Sequence, residues 1–227
     1  MGVTIQFESH KVELPFIYQL EHDDDVLEYC DQPPPLKLSY ESKKGRLIGY
    51  YYTPDFFVIK KDSAGWWECK PEAKLQELAE KKPEQYFLGD DNEWHYIPAE
   101  AYASKLGLDF QIWSGASIDW TLQQNFEFLE DYFRYKNNSD GNQAPAEKTI
   151  LLVADNPGIT LLEIFETFPE IKADEIYKLI AKEEIYFDLR SSRLVEPEKC
   201  HLFRDRASAE SYIPPSARQN VIFKVSG

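Results

Sequence analysis

Apolar and polar positions change their period several times along the chain, and each change marks an expected element. In 12–21, Phe16, Ile17 and Leu20 follow Glu13 by three, four and seven positions. That is helical spacing, and it puts Glu13 on the apolar side of a helix. Gln32-Pro33-Pro34-Pro35 ends this first helical region. The stretches 36–40 and 47–52 have strand character and flank a polar turn, Glu41 to Gly45. Phe56-Phe57-Val58-Ile59 is apolar without alternation, which predicts a strand buried on both faces. Lys61-Asp62-Ser63-Ala64-Gly65 is turn chemistry, and Trp66-Trp67-Glu68-Cys69-Lys70 forms the return arm of a hairpin. Helices are expected over 73–82 and 98–106, the second closed by Gly107, with strands over 93–97 and 108–113. The result is a mixed sheet flanked by helices, an α/β class. An aromatic-rich amphipathic helix over 125–135 follows, with Phe126, Leu129 and Phe133 as core positions.

The second half reads differently. Asn137-Asn138-Ser139-Asp140-Gly141-Asn142-Gln143 is polar and holds no large apolar side chain, as a linker would. Short helices are expected over 149–154, 161–168 and 174–182, with Ile176, Leu179 and Ile180 as the buried side of the third. A hairpin of 185–189 and 194–195, joined by Arg190-Ser191-Ser192-Arg193, follows them. Three helices and a hairpin predict a winged-helix-like domain. The expected division is therefore 1–136, a linker at 137–147, and 148–227. A DNA-reading version presents a basic last helix. Here Glu175, Glu183 and Glu184 are mixed with Lys178 and Lys182, which favours protein docking, with Arg190 and Arg193 in a position to touch a phosphate backbone. The tail from Pro214 reads as an exposed arm or a connection.

The chemistry concentrates in the hairpin. Side chains two apart on a strand share a face, so Glu68 and Lys70 point together and Cys69 points away. Asp55 opens the facing strand. Two carboxylates and an amine at a strand end suit a Mg²⁺-dependent phosphodiesterase. Magnesium takes oxygen ligands, and a neighbouring lysine can orient the attacking water. Buried charge is costly unless it is paired, and a core-facing acid such as Glu13 is rare. A plainer reading stands beside this one. Pro-Asp begins many loops, Glu-x-Lys is common on solvated strands, and the helix dipole favours an acid in the first turn, where Pro15 also fits.

Glu13 with its helix, Val26-Leu27-Glu28-Tyr29, Asp31-Gln32-Pro33, Tyr52-x-Pro54-Asp55-Phe56 and Glu68-x-Lys70-Pro71, in that order, resemble TnsA. TnsA is the restriction-endonuclease-like nuclease subunit of heteromeric cut-and-paste transposases. The resemblance covers roughly the first half of the chain. It implies a restriction-endonuclease-like fold, with Glu13, Asp55 and Glu68 around Mg²⁺ (Mn²⁺ as a substitute) and Lys70 beside them; Glu8 is the fallback third ligand. It implies cleavage of the 5′ strand at transposon ends, while a DDE-type transposase handles the 3′ strand and an AAA+ ATPase regulates the reaction. It also implies a bacterial cytoplasmic setting.

The net charge of −15 weighs against a stand-alone DNA binder, because phosphate neutralisation by Lys and Arg supplies most non-specific affinity. Either the chain docks on a basic protein, or a partner delivers DNA to a local site. Of the clusters Lys43-Lys44-Arg46, Lys60-Lys61 and Lys81-Lys82, only Lys60 and Lys61 are read as DNA contacts; the others are read as solvated turns. Cys30, Cys69 and Cys200 are scattered, as suits a reducing compartment. His10, His22, His95 and His201 lack metal-ligand spacing, and no apolar run is long enough to span a membrane. Two rival readings remain: a stand-alone restriction or resolvase-type nuclease, and an acidic non-catalytic adaptor for a transposase or ATPase regulator.

Overall fold

The computed structural model describes residues 11–42, 44–134 and 143–213, and contacts divide the chain into two units, Met1–Ile118 and Asp119–Gly227. The first unit begins with α1 (Glu13–Glu21), where Pro15 falls in the opening turn, which tolerates a missing N–H. The chain then runs through β1 (Val26–Asp31), β2 (Leu36–Glu41), β3 (Leu47–Tyr52), β4 (Phe56–Lys60) and β5 (Ala64–Lys70). It continues with α2 (Glu72–Lys81), β6 (Tyr86–Leu88), β7 (Trp94–Tyr96), α3 (Ile97–Ser104) and β8 (Asp109–Ser114).

The main sheet has the order β1-β4-β5-β8, antiparallel except for the parallel β5–β8 pair. This is the expected mixed sheet with flanking helices. Two features differ from expectation. Residues 26–31 extend the sheet as β1 instead of belonging to a helical region, and Gln32, at φ 42, turns the chain out of it. The β2–β3 and β6–β7 pairs form ribbons of their own outside the main sheet.

Both faces of β4 are covered, as its unbroken apolar run predicts. Phe56 and Val58 enter a cluster with Phe16 of α1, while Phe57 packs on a second cluster with Trp66, Leu38 and Phe110. The Phe16 ring lies 5.4 Å from Phe56, 5.1 Å from Trp67 and 5.2 Å from Trp113, so α1 is pinned across the sheet by aromatic packing. A side chain at Gly65 would place its Cβ 2.3 Å from the Asp109 carbonyl oxygen, so only glycine allows β8 this close.

The second unit contains α4 (Trp120–Arg134), α5 (Gln143–Asp155), β9 (Ile159–Thr160), α6 (Leu161–Thr167), α7 (Ala173–Ala181), β10 (His201–Leu202) and α8 (Arg206–Glu210). The helix expected to close the first domain belongs here instead. Leu129 of α4 shares a core with Val153, Leu161, Ile164 and Ile176. Residues 137–142 of the expected linker lie outside the described residues, and Gln143 already begins α5. Thr160 caps α6 reciprocally with Glu163, each side chain bonding the other's backbone N–H. The hairpin expected at 185–195 does not form. Tyr186 instead bridges Phe203, next to the β9–β10 pair, while Ile185, Phe187 and Leu194 point into the core from irregular chain.

Candidate active site

The β4–β5 register sets the site. Phe56 opposes Trp67, so the ladder carried one step further sets Asp55 against Glu68. Both ends of this step are held. The Asp55 carbonyl accepts from Gln32 N–H at 2.8 Å, and its Oδ2 accepts from Cys69 N–H at 2.7 Å. Glu68 and Lys70 share a face of β5, and Lys70 Nζ donates to Glu68 Oε1. On β8, Ser114 lies beside Lys70 and donates to Glu72 at the start of α2, tying the strand ends together.

The electrostatics follow from burial. Glu68 is only 4% exposed. Among the described residues neither its Oε2 nor the buried Tyr52 hydroxyl meets a partner in good hydrogen-bonding geometry, although the phenol lies close enough to Glu68 for the carboxylate to act on it. Burial, reinforced by the Glu68 charge, pushes the Asp55 carboxyl up to about 7, against the opposing effects of the Cys69 N–H and Lys70. Glu13 adds to that upward push, so α1 brings its acid within electrostatic reach of Asp55. Burial raises the Cys69 thiol strongly, and Asp55, Glu68 and Glu13 raise it further. Burial likewise raises the phenols of Tyr52, Tyr86 and Tyr96, with the Glu68 charge adding to each. The Tyr86 and Tyr96 rings stack at 4.2 Å. Glu68 therefore faces a wall of neutral phenols.

All four residues singled out from spacing thus meet in one neighbourhood. Among the described residues no group of three or more His, Cys, Asp or Glu side chains is arranged to hold a metal ion. The donor set nevertheless fits a hard cation. Glu68 Oε2 is buried and unspent, Asp55 commits only Oδ2 to a hydrogen bond, and all the available atoms are oxygens. The fallback Glu8 lies outside the described residues.

The four cations assigned to DNA are all engaged. Lys60 bonds Asp23 at 2.9 Å, Lys61 bonds Asp25 at 3.0 Å, Arg190 bonds Asp119 at 3.1 Å and Arg193 bonds Glu196 at 3.1 Å. Sequence reasoning missed two contributors, Gln32 and Tyr52. Both stand inside motifs that carry the resemblance, Asp31-Gln32-Pro33 and Tyr52-x-Pro54-Asp55-Phe56, but spacing alone gives neither residue a contact. A cleft of about 690 Å³ runs along β8 past Trp94, His95 and Glu100, and neither Asp55 nor Glu68 lines it. No described helix is long and apolar enough to cross a membrane.

Comparison with curated proteins finds no match. A family model described as TnsA-like endonuclease N terminal matches residues 23–115. The match takes in Asp55, Glu68 and Lys70 and begins after Glu13. Sheet order and the placement of the acids agree with this match, and residues 23–115 are similar to a TnsA-like endonuclease N-terminal domain.

Proposed function

We propose that the chain is the Mg²⁺-dependent endonuclease subunit of a heteromeric transposase and cuts the 5′, non-transferred strand at transposon ends. The carrying observation is the buried, unspent oxygen of Glu68 set across the ladder from Asp55 and beside Lys70. Asp55, Glu68 and Glu13 are the residues that would hold the cation. When bound, it would offset phosphate charge and acidify water. Lys70 is kept in place by Glu68, so its remaining N–H groups are free to orient a water toward the scissile phosphorus. Attack in line breaks the P–O3′ bond and leaves a 5′ phosphate and a 3′ hydroxyl. The Cys69 N–H keeps one Asp55 oxygen fixed, so the acid does not have to be ordered when substrate arrives.

The proposal extends to the second unit. There β9 between α5 and α6, the helix α7, and a bridge that adds residue 186 beside β10 are consistent with a winged-helix arrangement. Asp174, Glu175, Glu183 and Glu184 around α7 suit docking on a basic transposase or an ATPase regulator better than base readout.

Calorimetry with Mg²⁺ at low salt, wild type against Asp55→Ala, tests the site. Saturable binding lost in the variant is the expected result. Cleavage of end DNA in the presence of transposase is then measured on the same pair. A folded Asp55→Ala protein that still cuts would remove the assignment.

A further inference from the structure

The β2–β3 ribbon presents one covered face and one open face. Leu36 and Leu38 turn into the core, with Tyr50 and Tyr52 packed from the facing strand. On the other face Lys37 pairs with Tyr51, Ser39 with Gly49, and Glu41 with Leu47, and all six are exposed. The large apolar members are strongly so, Leu47 at 71% and Tyr51 at 73%. Gly49 leaves the middle of this face without a side chain, so another backbone can come close.

The ribbon's charge runs against that of the molecule. The chain carries −15, yet from residue 36 to residue 52 there are Lys37, Lys43, Lys44 and Arg46 against Glu41 alone. Lys37, Lys44 and Arg46 are exposed, and among the described residues their side chains make no ion pair or hydrogen bond. In contrast, Lys60, Lys61, Arg190 and Arg193 are all taken by carboxylates. Unspent cations around an aromatic side chain form the surface that a polyanion recognises.

Position supplies the second observation. β3 runs through Tyr52 and Thr53-Pro54 directly to Asp55, so the base of the ribbon is the edge of the candidate site. Six strand residues at about 3.3 Å each carry the tip roughly 20 Å away. That distance covers about six base pairs of B-DNA at about 3.4 Å each. An antiparallel ribbon of two strands also fits a groove of duplex DNA.

We infer that the β2–β3 ribbon is a DNA-binding element that grips the duplex beside the cut. Lys37, Lys44 and Arg46 contact phosphates, and Tyr51 lies against the sugar–base edge. The inference rests on the nuclease reading, and it explains how so acidic a chain holds DNA: the ribbon beside the site gathers positive charge against the net charge of the chain.

The test uses the full chain in EDTA, with a fluorescent short duplex followed by anisotropy over a range of salt. The triple substitution Lys37→Ala, Lys44→Ala, Arg46→Ala should weaken binding about 10- to 100-fold at low salt and flatten the log–log salt dependence by about three. Tyr51→Ala should weaken binding by less than about tenfold and leave the slope unchanged. Lys74→Ala with Lys81→Ala, whose partner is Glu77 on α2, should change neither quantity. Circular dichroism checks that each variant is folded. A triple variant that matches wild type in affinity and slope overturns the inference and leaves the open face as a protein contact. A wild type without measurable duplex binding at low salt overturns it too. The nuclease reading is tested separately by nicking in Mg²⁺. Nicking with an indifferent ribbon sinks only the ribbon, and ribbon-dependent binding without nicking sinks only the nuclease.

Discussion

Glu68 in the first unit and Asn125 in the second are polar side chains buried to a similar degree, 4% and 1% exposed, but their bonding differs. Asn125 Nδ2 donates to the carbonyls of Leu189 and Ser192 at 2.8 Å each, and its Oδ1 accepts from Leu194 N–H at 2.8 Å. It ties irregular chain to α4, and its amide makes full use of its bonding. Among the described residues Glu68 bonds Lys70, and its other, buried oxygen meets no donor in good hydrogen-bonding geometry, with the Tyr52 phenol its near neighbour. A satisfied buried amide is architecture. A buried carboxylate short of donors is a cost to the fold, which is why Glu68 carries the proposed site.

The largest expected effect that sharpens this contrast is on chemistry. Glu68→Gln should lower DNA cleavage about 10³-fold while leaving thermal stability near wild type, measured by nicking assay and melting curve together. Asn125→Ala should show the opposite pattern. It strands one N–H and two carbonyls, so the second unit should lose about 3 kcal/mol in urea unfolding. If Glu68→Gln unfolds the protein and Asn125→Ala does not, the contrast has been drawn the wrong way round.

Asp55 makes the next prediction. Its folded value of about 7 lies above its ordinary 3.8, so burial favours the protonated form. Its contribution to stability is present in full below about pH 3.8 and is lost as pH rises through about 7. Asp55→Asn should flatten stability across that window, as read by urea unfolding at a series of pH values. Added Mg²⁺ should restore stability above the window in wild type and not in Asp55→Asn. The smallest expected effect is that of Tyr52→Phe. Removing a buried hydroxyl that makes no well-formed hydrogen bond should change unfolding by less than about 1 kcal/mol.

The site was legible in the sequence because its signals are local. Asp55, Glu68 and Lys70 are placed by strand periodicity within one hairpin, and Glu13 by helical spacing from Phe16 and Leu20. Pairings between distant segments were less so. Residues 26–31 become β1 because their partner is β4, and nothing near them in sequence says so. Tyr186 finds Phe203 rather than the apolar Leu194, which goes to the core instead. The polar run after Arg134 looked like a domain border, but α4 buries Leu129 with the helices that follow it. Asn125 stayed hidden because the carbonyls and N–H it satisfies are brought to it only in three dimensions.

The parallel β5–β8 pairing has a consequence for the growing chain. Glu68 and Lys70 are synthesised long before Asp109–Ser114 supplies the neighbouring strand, and α2, β6, β7 and α3 come between. Until then β5 is an open sheet edge with the apolar pair Trp66-Trp67, the kind of edge that recruits strands from other chains. Charged side chains on an edge strand discourage such pairing. Glu68 and Lys70, the residues proposed to serve cutting, thus also put charge on the edge of the unfinished sheet and guard it against aggregation.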